Sequence, residues 1–366
     1  MLTLTKNIVL LILYAVLIVI CLLFALSLVT FGAHTANKAA DITVSPVICS
    51  RREPCEWQTE LWKFLPNSTI QTPIWIGRLA DFQGPYLDYA RKTAFCPILK
   101  NSCTQFISLM CRGKLLNKTI PAEARKLLES DLLGFAWQIC YHKGIVERED
   151  LLQHKDILED SSWTRLVVVR HPFERLLSGY KHKCIKAELF CHQCPQYDLE
   201  CFLSRNYEYI YQLTRSTAKF VLPYDDSLGH GPHFYPQSWF CKLDQLVDHY
   251  KIIQHEKGEE FRQEVARILK EAGWPDDLID TGWGPNFTEP FLGVPTLHAT
   301  GNSYHEEIDK YFKNDLKLID TAFRTYLIDF VVLQFSLPDY VHQKCVQEGN
   351  WQFFAVCAYL KHTSSG

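Results

Sequence analysis

The segment that decides the fold reads Leu166-Val167-Val168-Val169-Arg170-His171-Pro172-Phe173-Glu174-Arg175-Leu176-Leu177-Ser178-Gly179-Tyr180. It starts as an apolar, β-branched run, breaks at His-Pro, and resumes with apolar residues at helical spacing. This pattern predicts a strand, a tight turn and a helix that opens on a proline, the residue favoured at the first helical position. Such a corner directs free backbone N–H groups and the positive end of a helix dipole at one point, which makes an anion site.

Two polar side chains of this corner suit an anion. Arg170 follows the strand, where its planar guanidinium can grip a phosphate bidentately. Ser178 comes eight residues later, two turns into the helix, and offers a hydroxyl. The alternative interpretation makes Arg170 a strand-end arginine in a salt bridge and Ser178 a solvated helix residue.

The segment Val169–Tyr180 resembles the 3′-phosphate-binding motif of the Golgi carbohydrate sulfotransferases. These enzymes take a sulfuryl group from 3′-phosphoadenosine-5′-phosphosulfate (PAPS). The resemblance implies that Arg170 and Ser178 hold the 3′-phosphate. It also implies an α/β chain with a P-loop-like sulfotransferase fold, in which helices flank a mostly parallel sheet.

A second corner lies upstream, where Phe95–Met110 again reads as a short apolar strand, a polar turn and an apolar helix. Asn101 or Ser102 can cap that helix. The segment is similar to the family's 5′-phosphosulfate motif, although many sulfotransferases place glycine in the turn. A turn without glycine must use dihedral angles that side chains tolerate. The alternative is a strand and helix that only build the core. The resemblance implies a donor-binding set of Lys100, Asn101, Ser102, Cys103 and Thr104.

A third block, His233-Phe234-Tyr235-Pro236-Gln237-Ser238-Trp239-Phe240-Cys241, precedes a late apolar run, Tyr250–Glu256. This order is closest to the nematode-type branch of the same sulfotransferases. The resemblance extends from about Tyr89 to Tyr340.

Sulfuryl transfer needs positioning, charge stabilisation and a base for the acceptor hydroxyl. Lys100 is the expected catalytic cation at the leaving oxygen. His142 is the expected base because it lies between the two motifs, where related sulfotransferases place a histidine; His233 and Glu147 are rivals. A lone histidine is more often structural. No metal is expected, since the motifs contain no acidic metal-binding pair.

The N-terminal region predicts a membrane anchor. Ile8–Ala33 holds 26 residues without a charge, which as a helix spans about 39 Å. This run exceeds the apolar core of a cleaved signal peptide. Sequons at Asn67, Asn117 and Asn286, together with fourteen cysteines, favour the lumenal, oxidising side. The expected protein is a Golgi-resident, single-pass type II membrane glycoprotein with a lumenal catalytic domain.

Cys184, Cys191, Cys194 and Cys201 form a cluster just after the first corner. Four thiolates can bind zinc, but in the lumen we expect disulfides there, in a pairing that the sequence leaves open. An odd number of lumenal cysteines leaves at least one thiol unpaired or intermolecular, and Cys103 is a candidate to stay reduced.

The predicted organisation is a cytosolic tail at 1–7, the anchor at 8–33, a stem at 34–88, the sulfotransferase domain at 89–345 and a C-terminal extension at 346–366. Residue spacing predicts further helices, which are Pro121–Leu133, Glu259–Ala272, Ile308–Leu333 with a break midway, and Trp351–Leu360.

A net charge of −3 means that a polyanionic acceptor would need a local basic face. Basic residues do flank the two motifs; they are Arg91, Lys92, Arg112, Lys114, Lys118, Lys181, Lys183 and Lys186. The resemblance implies a glycan acceptor of the chondroitin-like glycosaminoglycan type, and the compartment excludes nucleic acid.

Two alternative functions remain open at this stage. A type II Golgi glycosyltransferase shares the topology but would usually carry an Asp-x-Asp metal motif, which the chain lacks. A membrane glycoprotein that keeps the sulfotransferase fold without turnover is supported by the glycine-free turn.

Overall fold

The structure is a computed structural model that describes residues 84–116, 151, 154–186, 191–215, 231–255, 259–283, 303–349 and 354–363. The Ile8–Ala33 anchor, the Pro121–Leu133 helix, His142, Glu147 and the three sequons lie outside these residues. Across the described ranges, every helix falls short of the length and hydropathy needed to cross a bilayer.

The strands form one four-stranded sheet in the order β1-β2-β3-β4, with β1 at Tyr86–Asp88, β2 at Thr93–Cys96, β3 at Thr164–Val169 and β4 at Lys251–Gln254. The outer strand β1 runs antiparallel to β2, whereas β2, β3 and β4 are parallel to one another. The expectation of a mostly parallel sheet is therefore confirmed. Strand β1 lies just before residue 89, where the catalytic domain was expected to begin.

The helices of the described residues are α1 Cys103–Leu116, α2 Lys155–Glu159, α3 Pro172–Tyr180, α4 Leu199–Arg215, α5 Leu243–Leu246, α6 Glu259–Glu271, α7 Asp276–Trp283, α8 Ser303–Asn314, α9 Leu316–Val332, α10 Asp339–Glu348 and α11 Ala355–Thr363. A π-helical segment, Lys181–Lys186, continues α3, and short 3₁₀ turns fill much of 232–249.

Strands β1 and β2 and the second half of β3 are buried, because each face of the sheet carries its own hydrophobic core there, whereas Lys251, Ile252 and Gln254 of the edge strand β4 are exposed. Leu166 and Val168 of β3 pack with α1, α6 and α7 on one side. Val167 and Val169 face the larger core, which includes α3, α4 and α9. This alternation is the period of two that a strand imposes, and both halves are apolar because helices cover both faces.

Three helix predictions agree with the structure. The helix predicted at Glu259–Ala272 is α6, and the region Ile308–Leu333 is broken between α8 and α9. The break falls at Asp315, whose carboxylate accepts hydrogen bonds from the N–H groups of Lys317 and Leu318 and so caps α9. The C-terminal α11 covers most of the Trp351–Leu360 region and packs against the core.

Candidate functional site

The corner after β3 has the predicted strand–turn–helix form. The turn residue His171 caps α3, since its Nδ1 accepts a hydrogen bond from the N–H of Phe173 at 3.3 Å. Its Nε2 lies 3.2 Å from the carbonyl oxygen of Ser336. Burial lowers the pKa of His171, in keeping with a neutral ring that accepts at Nδ1 and donates from Nε2. A neutral histidine thus takes the place of the usual Ser or Asp cap.

The side chain of Arg170 emerges at the end of β3, where it is 15% exposed. Its Nε donates to Glu174 at 3.3 Å, one turn into α3. Ser178 is half-buried one turn beyond Glu174 on the same helix. Both predicted 3′-phosphate residues therefore belong to one strand–helix unit, and the salt bridge of the alternative interpretation is also present.

The corner after β2 differs in detail from the prediction. The strand ends at Cys96, so Lys100 lies in the turn and not at the strand end. Lys100 and Ser102 have φ values of 75° and 60°, in the left-handed region. The turn therefore adopts, at two residues that carry side chains, a conformation that favours glycine. Backbone turns of this kind turn successive N–H groups toward a common point and favour anions.

Helix α1 begins at Cys103, and the carbonyl of Ser102 accepts the N–H groups of Gln105 and Phe106 at 3.0 and 3.3 Å. Ser102 therefore occupies the capping position. Thr104, in the first turn of the helix, is exposed. The first N–H groups of a helix have no partner within it, so this end of α1 can receive an anion.

Asn101 has a different role from the cap that the sequence allowed. Its side chain is fully buried, and its Nδ2 donates to the carbonyl of Val168 at 3.0 Å and to Oε1 of Gln237 at 2.6 Å. Its backbone N–H bonds the carbonyl of Ile98. Asn101 therefore ties the corner after β2 to the neighbouring strand β3.

The two corners meet at one edge of the sheet. Strands β2 and β3 are parallel neighbours, with Cys96 opposite Val167, so their carboxyl ends lie side by side. Ligands of open parallel sheets bind at this edge. A pocket of about 190 Å³ opens at the same edge between β3 and β4, and its lining includes His171, Glu174 and His255.

Gln237 of the third sequence block bridges the two corners. Its Oε1 accepts from the Asn101 amide and from the backbone N–H of Arg170 at 2.9 Å, and its Nε2 donates to the Arg170 carbonyl at 2.7 Å. The buried carboxylate of Asp329 on α9 fixes this block, since it accepts the N–H groups of Gln237 and Ser238, each at 2.8 Å. The third block thus fixes the corners after β2 and β3 relative to each other.

Arg175 links the corner after β2 and the third block through hydrogen bonds to backbone carbonyls. It is 1% exposed, and its guanidinium donates to the carbonyls of Leu99, Tyr235 and Pro232 at 2.9, 2.6 and 3.1 Å. Sequence reasoning missed Arg175, because an arginine inside an amphipathic helix is usually solvated. Its spacing places it on the side of the helix opposite Phe173, Leu176 and Leu177, so the signal available was only its position one helical turn after His171.

Positive charge concentrates at the corners. Burial lowers the pKa of Lys100 to about 7; the Cys103 thiol opposes this shift, and the nearby charges of Arg170, Lys183 and Arg175 add to it. Cations that lie close together at the positive end of a helix dipole repel one another, and a bound anion would offset this repulsion. This donor set fits a nucleotide-like polyanion.

The remaining cysteine expectations are met within the described residues. Cys103 is buried and forms no disulfide, and the cluster forms the disulfides Cys184–Cys191 and Cys194–Cys201. Two further bridges join Cys96 to Cys241 and Cys345 to Cys357. Over the same residues, no group of His, Cys, Asp and Glu is arranged to hold a metal ion.

Of the rivals for the base, His233 is described. It is half-buried in the third block, and its ring centroid lies 6.4 Å from that of His182. Gly179 explains the close contact of this block with α3, since a Cβ there would lie 2.8 Å from the Phe234 ring.

The expected basic face is partly neutralised by ion pairs. Arg91 pairs with Asp88 at 2.8 Å, and Lys92 with Asp160 at 3.1 Å. Both cations precede β2, so they lie at the amino end of the sheet, away from the corners. Lys181 pairs with Asp309 at 2.5 Å.

Comparison with known proteins indicates the same family as the sequence motifs of the two corners. The model of the sulfotransferase family matches residues 88–336, more than half of the chain. The carbohydrate sulfotransferase chst-1 of Caenorhabditis elegans is 25% identical over 336 residues, which cover 86% of this chain and 95% of that protein. The putative sulfotransferase vep-2 of the same nematode is 21% identical, over 70% of this chain and 74% of its own length. No solved structure matches the chain. The chain therefore belongs to the sulfotransferase family.

Proposed function

We propose that the chain transfers a sulfuryl group from PAPS to a hydroxyl of a glycan. The observation that carries this proposal is the meeting of the Lys100 and Arg170 corners at one sheet edge, joined through Gln237. Two anion-binding corners side by side suit a donor that bears phosphates at both ends. The match to the sulfotransferase family supports the same donor.

Different residues would bind the two ends of the donor. Arg170 and Ser178 would hold the 3′-phosphate, and Lys100 would face the 5′-phosphosulfate with the first-turn N–H groups of Ser102, Cys103 and Thr104. Bound PAPS supplies an activated sulfuryl group with adenosine 3′,5′-bisphosphate (PAP) as its leaving group. Protonated Lys100 would stabilise the negative charge that develops on the bridging oxygen.

The acceptor and the compartment are part of the proposal. The relative chst-1 is named a carbohydrate sulfotransferase, which favours a glycan acceptor, and a chondroitin-like chain is the acceptor expected from the sequence motifs. The uncharged Ile8–Ala33 run and the four disulfides that join two described cysteines favour a Golgi, type II placement with a lumenal catalytic domain.

The test uses the full-length chain. Calorimetry should detect PAP binding, and radiolabelled sulfate should pass from PAPS to one or more members of a panel of desulfated glycans. Transfer should persist in a chelator. Absence of PAP binding, or transfer of sugar from nucleotide sugars, would contradict the proposal.

We propose His142 as the base that takes the acceptor proton. His142→Ala should reduce kcat by about 10²–10⁴-fold with PAP affinity unchanged, since general base catalysis contributes this much. His233→Ala is the comparison variant. Near-normal turnover of His142→Ala combined with loss in His233→Ala would transfer the role to His233.

A further inference from the structure

A cluster of tyrosines lies beyond the donor corners, where α3 ends. It consists of Tyr180, Tyr197, Tyr304 and Tyr311, called here the tyrosine cluster. Tyr197 and Tyr311 are 49% and 48% exposed, whereas Tyr180 is 1% exposed. Tyr304 and Tyr311 lie two turns apart on α8, so they share one helix face.

The cluster is held in place by the disulfide-braced loop. Tyr197 has a φ of 74°, which is unusual for a bulky residue. The Cys194–Cys201 bridge closes this loop, and Asp198 accepts the N–H of Cys201 at 2.8 Å. The ring of Tyr197 meets that of Tyr304 edge-on, with centroids 4.5 Å apart.

A polar atom beneath these rings lacks a partner. The hydroxyl of Tyr180 is buried and makes no hydrogen bond. Burial raises the pKa of Tyr180, and the neighbouring groups Tyr304, Asp198 and Tyr197 add to this shift. The ion pair between Lys181, which follows Tyr180, and Asp309 of α8 joins the end of α3 to the helix that carries Tyr304 and Tyr311. Buried polar groups are usually paired, so an unpaired hydroxyl below exposed rings is available to a ligand that brings a hydroxyl or carbonyl.

The charge around the cluster restricts that ligand. The charged groups that raise the pKa of Tyr311 are the carboxylates of Asp315, Glu200 and Asp198, and Glu307 acts in the same way on Tyr304. The adjacent Lys181 is neutralised by Asp309. Carboxylates repel a sulfated or uronate sugar, whereas an uncharged ring offers an apolar face to the tyrosines and hydroxyls to Tyr180.

The cluster lies at the end of the helix that also carries the donor residue Ser178, since Ser178 and Tyr180 both belong to α3. We infer that the tyrosine cluster is an acceptor subsite that binds an uncharged sugar ring of the glycan, with the Tyr180 hydroxyl hydrogen-bonded to that ring. This inference rests on the proposed function.

The decisive variant is Tyr180→Phe, which removes only the orphan hydroxyl. A purely structural role predicts no change in glycan binding and equal or higher thermal stability, because an unsatisfied buried group is lost. The subsite predicts the same stability together with roughly a three- to tenfold weaker binding of the sugar. Tyr326→Phe is the matched control, since the Tyr326 hydroxyl donates to the Phe234 carbonyl at 2.7 Å and its loss should lower stability.

A second pair of variants tests the exposed ring. Tyr197→Ala should weaken binding about tenfold, in line with a lost aromatic contact. Tyr89→Ala is the control, because Tyr89 is 57% exposed and meets Trp163 edge-on, just as Tyr197 meets Tyr304, but at the amino end of β3. Tyr89→Ala should leave binding unchanged.

The measurement is saturation-transfer NMR and calorimetry on the full-length chain. The probes are uncharged oligosaccharides of galactose, N-acetylgalactosamine, N-acetylglucosamine and mannose, with unsulfated chondroitin hexasaccharide as a charged comparison. Binding of an uncharged probe that Tyr180→Phe and Tyr197→Ala weaken supports the subsite. Failure of every uncharged probe to bind, or binding unchanged in both variants, overturns it. PAP affinity measured on the same samples separates this outcome from failure of the proposed function.

Discussion

At the scale of the residue, Arg170 is the side chain with the most to gain from a bound phosphate. It is tethered to Glu174 only at 3.3 Å, and Glu174 itself is 60% exposed, so this ion pair is weak and exchangeable. Arg170→Ala should weaken PAP binding by about 1.5–3 kcal/mol, the value of a charge-assisted contact. Calorimetry measures this change. Arg267→Ala, an exposed arginine of α6, should leave PAP affinity unaltered; equal effects of the two substitutions would reject the 3′-phosphate assignment.

The lowered pKa of Lys100 predicts that PAP binding depends on pH. Its pKa is lowered to about 7, chiefly by burial, so the free protein loses this charge as the pH rises through 7. A bound anion favours the protonated lysine and raises its pKa. PAP affinity should therefore be full below pH 7 and decline above it. Lys100→Arg stays charged and should show no such decline between pH 7 and 8.5. The same decline in both proteins would mean that another group titrates.

At the scale of the element, three loops meet through one amide side chain. Gln237 bonds Asn101 and both backbone groups of Arg170, which joins the β2 corner, the β3 corner and the third block. Gln237→Leu leaves buried donors and acceptors unpaired, each at a cost of about 1–3 kcal/mol. We expect a lower unfolding temperature and weaker PAP binding in this variant.

A control separates positioning by Gln237 from general instability. Ile279→Ala, a buried residue of α7 in the smaller core, should lower stability by about 2–5 kcal/mol and leave PAP affinity in the folded protein unchanged. If Gln237→Leu also kept full PAP affinity, the bridge would serve stability alone.

At the scale of the whole molecule, the disulfides differ in the length of chain that they close. Cys96–Cys241 spans 145 residues and links the end of β2 to the third block, whereas Cys184–Cys191 spans 7. On the chain-entropy model these loops contribute about 5 and about 2 kcal/mol. Replacing Cys96 and Cys241 by serine should therefore lower the urea midpoint more than replacing Cys184 and Cys191. The reverse order would show that unfolded-state entropy does not govern this domain.

The chain itself determined the pieces whose signals are local. The β3–α3 corner, the α6 helix and the break at Asp315 follow from apolar periodicity, proline at a helix start and capping, all of which act within a few residues. The resemblance of the two corners to sulfotransferase motifs was equally local, and the family match confirms the sulfotransferase family that it implied. The PAPS roles of the individual residues, the chondroitin-like acceptor and the Golgi anchor stay predictions.

Tertiary structure alone decided which residues hold the corners together. Asn101 and Gln237 are 136 residues apart, and Arg175 reaches carbonyls 57 to 76 residues away, so no local pattern reveals these contacts. Their function depends on burial, because an amide or guanidinium in a core must satisfy its hydrogen bonds with whatever groups the fold supplies. The left-handed backbone of Lys100 and Ser102 likewise departs from local preference, since packing around the turn outweighs the small cost of that conformation.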